Sequence, residues 1–239
     1  MMILLILSIT QFELDATESY NRGNEYFLQG RYSEAIAAYE QALQMVRSAG
    51  IHYNLGNAYF KKGMLGKSVL HYRVAHFLAP RDQDITHNLE FVRNYRVDKV
   101  QLAASPLISI LDALFHYFSL YETQILTTFF FVAASVLLSL HLIFRIRVFG
   151  YAAITAAVLC IFFFINWQVW LGEKTGRHAV VTGPEVSVLS GPADDYKVII
   201  LLHDGAEAWI RETRNGYALI QLSGGIGGWV TEAALEEIF

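Results

Sequence analysis

The sequence predicts a multidomain chain made of an all-α repeat stack, a transmembrane helical hairpin and a small all-β domain. Three observations carry this. "SYNRGNEYFLQG" at 19–30 returns as "HYNLGNAYFKKG" at 52–63, with seven of twelve positions identical. Residues 125–144 and 148–171 contain no Asp, Glu, Lys or Arg, and each run is near the ~20 residues that cross a hydrocarbon core. Beyond residue 171 the apolar period changes from helical to alternating.

The chain has 239 residues, is 54% hydrophobic and carries a net charge of −4. Residues 1–104 hold 11 Lys+Arg against 10 Asp+Glu, and residues 173–239 hold 5 against 10. Neither part is a basic surface, which excludes nucleic acid as a partner class. One cysteine, Cys160, lies in the second apolar run, so no intrachain disulfide or cysteine metal site can form.

The opening "MMILLILSI" has two readings: the apolar core of a signal peptide within 1–15, or an extension of the first helix. The repeats follow at 16–104. His52, Leu55, Gly56 and Tyr59 share one helical face, Gly63 ends that helix, and 67–78 supplies a return helix before Pro80. The first copy uses Gly30 as its breaker and 33–46 as its return helix. Gly23 and Gly56 allow close helix approach, opposite small residues at Ala35, Ala42, Ser68 and Ala75. "DITHNLEFVRNY" at 84–95 predicts a capping helix with Ile85, Leu89 and Val92 as its stripe.

This pattern resembles the tetratricopeptide repeat in Gly23 and Gly56, Tyr26 and Tyr59, Ala42 and Ala75, and Pro80. The departures are Arg22, Arg47 and Ser68. The resemblance implies a concave protein-binding groove lined by Tyr20, Asn24 and Phe27, then Tyr53, Asn57, Phe60 and Lys61. Asn57 is expected to stand solvated in that groove. Its replacement would then weaken a partner without touching the fold.

Residues 105–122, "SPLISILDALFHYFSLYE", predict one interfacial helix with Ser105 at its N-cap. The two membrane helices fill 123–171. Ala152/Ala156 and Ala153/Ala157 form small-xxx-small pairs in the second. Their connection is Arg145-Ile146-Arg147, and no Lys or Arg occurs between Lys99 and Arg145. The positive-inside rule therefore puts the connection in the cytoplasm, although Lys174 and Arg177 follow the second helix. The expected location is the bacterial inner membrane, with both soluble parts facing the periplasm.

In 177–239, "HAVVT", "VSVLS", "YKVIILL", "AEAWIRE" and "YALIQL" read as five strands between Gly-rich turns, which predicts a closed or partly open barrel able to fold alone. "HDGAEAWI", "NGYALIQL" and "GWVTEAALE" resemble a bacterial SH3-like domain, except that Leu189 replaces an arginine and Tyr217 a tryptophan. Trp229 is expected in the core.

No nucleophile motif, phosphate loop or dinucleotide fingerprint is present, so the chain reads as non-catalytic, with no cofactor. His71, His76 and His87 lack metal-ligand spacing. The order of segments, with "HNLEFVRNYRVDKV" at 87–100, resembles BatE-like proteins of bacterial aerotolerance (Bat) operons. That resemblance implies a membrane scaffold working beside von Willebrand A-type membrane proteins and a MoxR-type ATPase, in stress tolerance or complex assembly. The alternative reading is an envelope protein that recognises peptidoglycan through its SH3-like domain.

Overall fold

The structure, a computed structural model, describes residues 2–98 and 106–239. The chain forms two compact bodies: Met1–Ala103 together with Gly176–Phe239, and Ala104–Thr175. The expected N-cap at Ser105 lies outside the described residues.

The first body begins with α1 (Met2–Leu28), whose helix runs unbroken through the end of the expected signal segment. The repeats continue as α2 (Tyr32–Leu43), α3 (Ala49–Lys61), α4 (Leu65–Leu78) and the capping helix α5 (Gln83–Tyr95). Gly30 and Gly63 take positive φ, the left-handed conformation that stops α1 and α3. Helix α2 ends at Leu43, three residues before the predicted end. At Gly23 and Gly56 a Cβ would run into the rings of Tyr39 and Tyr72, in the latter case at 2.8 Å. Each repeat thus closes by an aromatic ring lying on a glycine. The hydroxyl of Ser68, where the repeat pattern has alanine, is fully buried and donates to the Gly56 carbonyl at 2.8 Å.

The remainder of this body is one antiparallel sheet of β1 (His178–Val181), β2 (Glu185–Leu189), β3 (Val198–His203), β4 (Glu207–Arg214), β5 (Tyr217–Leu222), β6 (Gly227–Thr231) and β7 (Leu235–Glu237). Its order is β3-β2-β6-β5-β4-β1-β7, so five expected strands become seven and the sheet keeps two edges, β3 and β7, in place of closure. "GWVTEAALE" supplies the two additional strands. Asn215 and Gly216, both with positive φ, make the tight turn between β4 and β5. Val188, Leu202, Ala218, Ile220 and Val230 form the sheet's own core. Trp229 does not belong to it. Strand β6 alternates, so Gly228 and Val230 face inward and Trp229 lies half-buried on the other face, opposite Leu189 and Leu219.

The sheet is not separate from the helices. Val180 and Ile238 join Val69, Leu70, Tyr72, Leu89 and Val92 in a shared core, and the Phe77 and Phe239 rings lie 4.5 Å apart. Helix α4 lacks a side-chain cap of its own. The Asp204 carboxylate from the sheet accepts hydrogen bonds from the Leu65 and Gly66 N–H groups at its start. Glu207 accepts from Arg93 Nε and Nη2 at 2.8 Å each, from Arg73 Nη1 at 3.0 Å and from Arg96 Nη1 at 2.9 Å. Asp98 accepts from the His203 backbone N–H at 2.6 Å. These contacts correct the expectation of an autonomous barrel, because strand β1 and the C-terminus complete the helical core.

In the second body α6 (Pro106–Phe115) ends before α7 (Leu120–Phe144), so the single helix expected over 105–122 is two. Ser119 starts α7 with a reciprocal capping box to Glu122. Arg145, in the left-handed conformation, turns the chain into α8 (Arg147–Thr175). Ala153 and Ala156 are the buried small residues of α8, and Ala157 is exposed, which replaces the expected pairing by a seam three apart. Trp170 is 1% exposed and donates from Nε1 to the Phe118 carbonyl at 2.7 Å. Helices α7 and α8 are long and apolar enough to cross a membrane. Only 6% and 17% of their most apolar stretches are buried, unlike core helices of a soluble protein.

Burial works against the Glu207 charge, but the hydrogen bond and charge of Arg93, with Arg73 and Arg96, outweigh it and hold the carboxyl at about 2. The folded value lies below the unfolded one of 4.5. The clamp therefore stabilises fully above about pH 4.5 and fades as pH falls toward 2. Glu207→Ala is expected to cost about 3–5 kcal/mol, since it strands three guanidiniums. Glu207→Gln should flatten the acid limb of the melting-temperature profile between those pH values. A limb unchanged in Glu207→Gln would remove the clamp from the stability of this body.

Candidate functional site

The seven residues expected to line the groove fall on two helices, Tyr20, Asn24 and Phe27 on α1 and Tyr53, Asn57, Phe60 and Lys61 on α3. Lys61 is exposed and the other six are half-buried. They are not free in the groove but tied into a ladder. Tyr39 donates to Asn24 Oδ1 at 2.8 Å, and Asn54 Nδ2 donates to Asn24 Oδ1 and to the Tyr20 hydroxyl, both at 3.0 Å. One repeat further on, Tyr72 donates to Asn57 Oδ1 at 2.6 Å. Asn88 Nδ2 donates to Asn57 Oδ1 at 3.2 Å and to the Tyr53 hydroxyl at 3.0 Å. Each rung uses an amide to join neighbouring first helices and a tyrosine to reach the return helix.

The ladder's tyrosines hold their protons firmly. Burial, then the neighbouring Tyr20, pushes Tyr39 up to about 12, and burial, then Tyr53, raises Tyr72 further. Both remain donors at all physiological pH. Beside the ladder, His71 lies against His52, Nδ1 to Nδ1 at 3.0 Å, and stacks on Tyr59. Burial, then Arg47, lowers His52 to about 4, and burial, then His52 and Lys67, lowers His71 to about 3. This pair is neutral packing between α3 and α4.

Phe27 packs edge-on to Tyr32, inside the first repeat. Phe60 instead meets two residues that the sequence reading missed: Phe91 and Tyr95 of α5, with ring centroids at 5.6 and 5.7 Å. These two are 49% and 68% exposed, which makes them the open aromatic part of the surface. They continue the stripe of Asn88 by three and seven residues. That spacing, read beside Tyr53, Asn57 and Phe60, was the available signal. Asn54, Tyr39 and Tyr72 were also missed, although the 33-residue offset that relates Asn24 to Asn57 relates Tyr39 to Tyr72.

Among known families, the tetratricopeptide (TPR) repeat model matches residues 23–63, which spans the end of α1 and all of α2 and α3 and ends at the breaker Gly63. No curated protein matches the chain. The repeat region is therefore of the tetratricopeptide kind, a class that binds proteins, and a protein is the general partner class.

The expectation that Asn57→Ala spares the fold is corrected by the two hydrogen bonds that its Oδ1 accepts, from Tyr72 and Asn88. Removing it leaves the Tyr72 hydroxyl and the Asn88 amide short of an acceptor, so a loss of about 1–3 kcal/mol of stability is expected in chemical denaturation. Gly56→Leu should prevent folding, because the Tyr72 ring occupies the space of its side chain. A wild-type melt for either variant would overturn this description of the ladder.

Proposed function

We propose that the protein is a non-catalytic, membrane-anchored scaffold that holds partner proteins on its tetratricopeptide groove within a Bat-type envelope complex. The observation that carries the reading is the exposed pair Phe91 and Tyr95 beside Phe60, at the end of a repeat surface whose amides are otherwise committed inward. Rigid aromatics that stay open in the free protein are the side chains that concentrate binding energy. Lys61 adds a cation at the same end.

The partners implied are von Willebrand A-type membrane proteins and the MoxR-type ATPase system associated with them. The process is stress tolerance or complex assembly. The sheet serves in this reading as an SH3-like module. Residues 1–15 direct export, and α7 and α8 anchor the chain in the inner membrane. Both soluble parts belong to one packed body, which requires them to share one side of the bilayer, and a two-helix hairpin returns the chain to the side it left. The cations at Arg145 and Arg147 favour a cytoplasmic turn and so a periplasmic body.

Two experiments test this. Alkaline phosphatase fused after Asp98 or after Phe239 should be active and a fusion at Arg147 inactive; the reverse pattern sinks the orientation. For the groove, crosslinking and affinity capture from membranes should compare wild type with Phe91→Ala and Tyr95→Ala. Both residues are exposed, so both variants should fold. Loss of about 1–3 kcal/mol in partner affinity is expected from truncating a central aromatic. Retention of every partner by both variants rejects the groove as the working surface.

A further inference from the structure

Beside the Glu207 clamp, helices α4 and α5 and the sheet border a half-open cavity of about 700 Å³, within the size range of small-ligand sites. Its described lining is rich in guanidinium: Arg73, Arg93, Arg96 and Arg211 stand there with the carboxylates of Glu207 and Asp98. Glu207 cannot compensate further, since each of its oxygens already accepts two guanidinium hydrogen bonds. Asp98 is engaged by His203.

Arg96 shows the consequence. Its side chain is 13% exposed, and burial is the largest influence on it, pressing against its charge while Glu207 offsets part of that effect. Its Nε donates to the Arg93 carbonyl, and its Nη1 to Gly205 and Glu207. Its Nη2 has no partner among the described residues. At the rim, Arg211 is exposed and held in place by Gln221 at 2.8 Å. Trp209, Leu222 and Ile238 supply an apolar part of the wall, beside the polar His178, Gln221 and Ser223. The turn at Gly224 and Gly225, both at positive φ, borders it with bare backbone.

We propose that this cavity is a binding site for a carboxylate carried on an apolar group. Its ligand pairs with the guanidiniums of Arg96 and Arg211 and lays its hydrocarbon part on Trp209 and Leu222. A guanidinium fork matches a carboxylate in geometry as well as charge. Two sources present this chemistry: the C-terminal carboxylate of a protein chain ending in an apolar residue, or a free small organic acid. The site is distinct from the groove, and its test reads the cavity alone.

The test uses the full-length protein in detergent micelles with its four tryptophans replaced by fluorotryptophan. The Trp209 fluorine resonance is assigned with Trp209→Phe. N-acetyl-leucine should move that resonance in a saturable way, and N-acetyl-leucinamide, which lacks the charge, should bind roughly tenfold more weakly or not at all. Arg211→Gln lies outside the clamp and should keep the wild-type melt while weakening N-acetyl-leucine by roughly tenfold. Three results would each overturn the proposal: an immobile Trp209 resonance, equal binding of acid and amide, or unchanged affinity in Arg211→Gln. A pool of hexapeptides with a free C-terminal leucine identifies the source. Tighter binding than N-acetyl-leucine supports the site as one for a chain end. Equal or weaker binding rejects the chain end and leaves the organic acid as the ligand.

Discussion

The half-buried carboxylate of Glu207 is the constraint around which the first body is organised. A charge in that position costs several kcal/mol unless it is paired and hydrogen-bonded. Its partners Arg73, Arg93 and Arg96 come from segments more than a hundred residues earlier. The helices therefore cannot separate from the sheet without stranding one anion and three cations. Asp204 and Asp98 extend the same logic, the first by capping α4 and the second by holding His203. Glu236 adds an ion pair to Lys67 at 3.3 Å. The acidic excess of residues 173–239 thus has a place, since several of its carboxylates face cations or N–H groups of the repeats. Charge complementarity fixes the register between two surfaces whose apolar contact alone would tolerate sliding.

The repeats use polar groups in a different way. Asn24 and Asn57 sit where side chains of neighbouring helices converge, and each accepts from a tyrosine and a second asparagine. A half-satisfied amide there would cost more than an apolar side chain, so the ladder is favourable only because it is nearly complete. This has a functional corollary. Amides that specify helix packing are poor candidates for recognising a partner's backbone, because binding would have to break a bond for each one made. In the proposed groove, recognition falls instead to groups that the ladder leaves over, the aromatics at its far end.

Much of this was legible in the sequence. The duplicated phrase gave the hairpins, their breakers and their close-approach glycines, because these depend on local geometry repeated at a fixed offset. The charge-free runs likewise announced α7 and α8 through length and composition alone. What stayed hidden was set by long-range pairing. Nothing near Glu207 in the chain marks it as an interior charge, since "AEAWIRE" alternates as any half-exposed strand does. Trp229 was misplaced because size suggested a core residue, whereas strand register decides the face and Val230 holds the inward position. Ser119 could have been recognised: Ser119 with Glu122 is a capping-box spelling, and it splits the helix that apolar spacing alone had drawn as continuous.

The same long-range contacts bear on the proposed orientation. If α7 and α8 both cross the bilayer, as proposed, the repeats and the sheet, which form one packed body, lie on one side, but this does not say which. The sign comes from charge, where the cations Lys174, in the last turn of α8, and Arg177, just after it, oppose those in the turn between α7 and α8. Arg177 is the weaker of the two signals. Its guanidinium is bonded to Glu237 at 2.6 Å, so its charge is matched within the sheet. Arg145 and Arg147 flank a turn with no acidic residue between Glu122 and Glu173. An unmatched pair of cations resists translocation more than a matched one. On that comparison the proposed orientation has the turn in the cytoplasm, with the repeats and the sheet held together by the clamp on the opposite face.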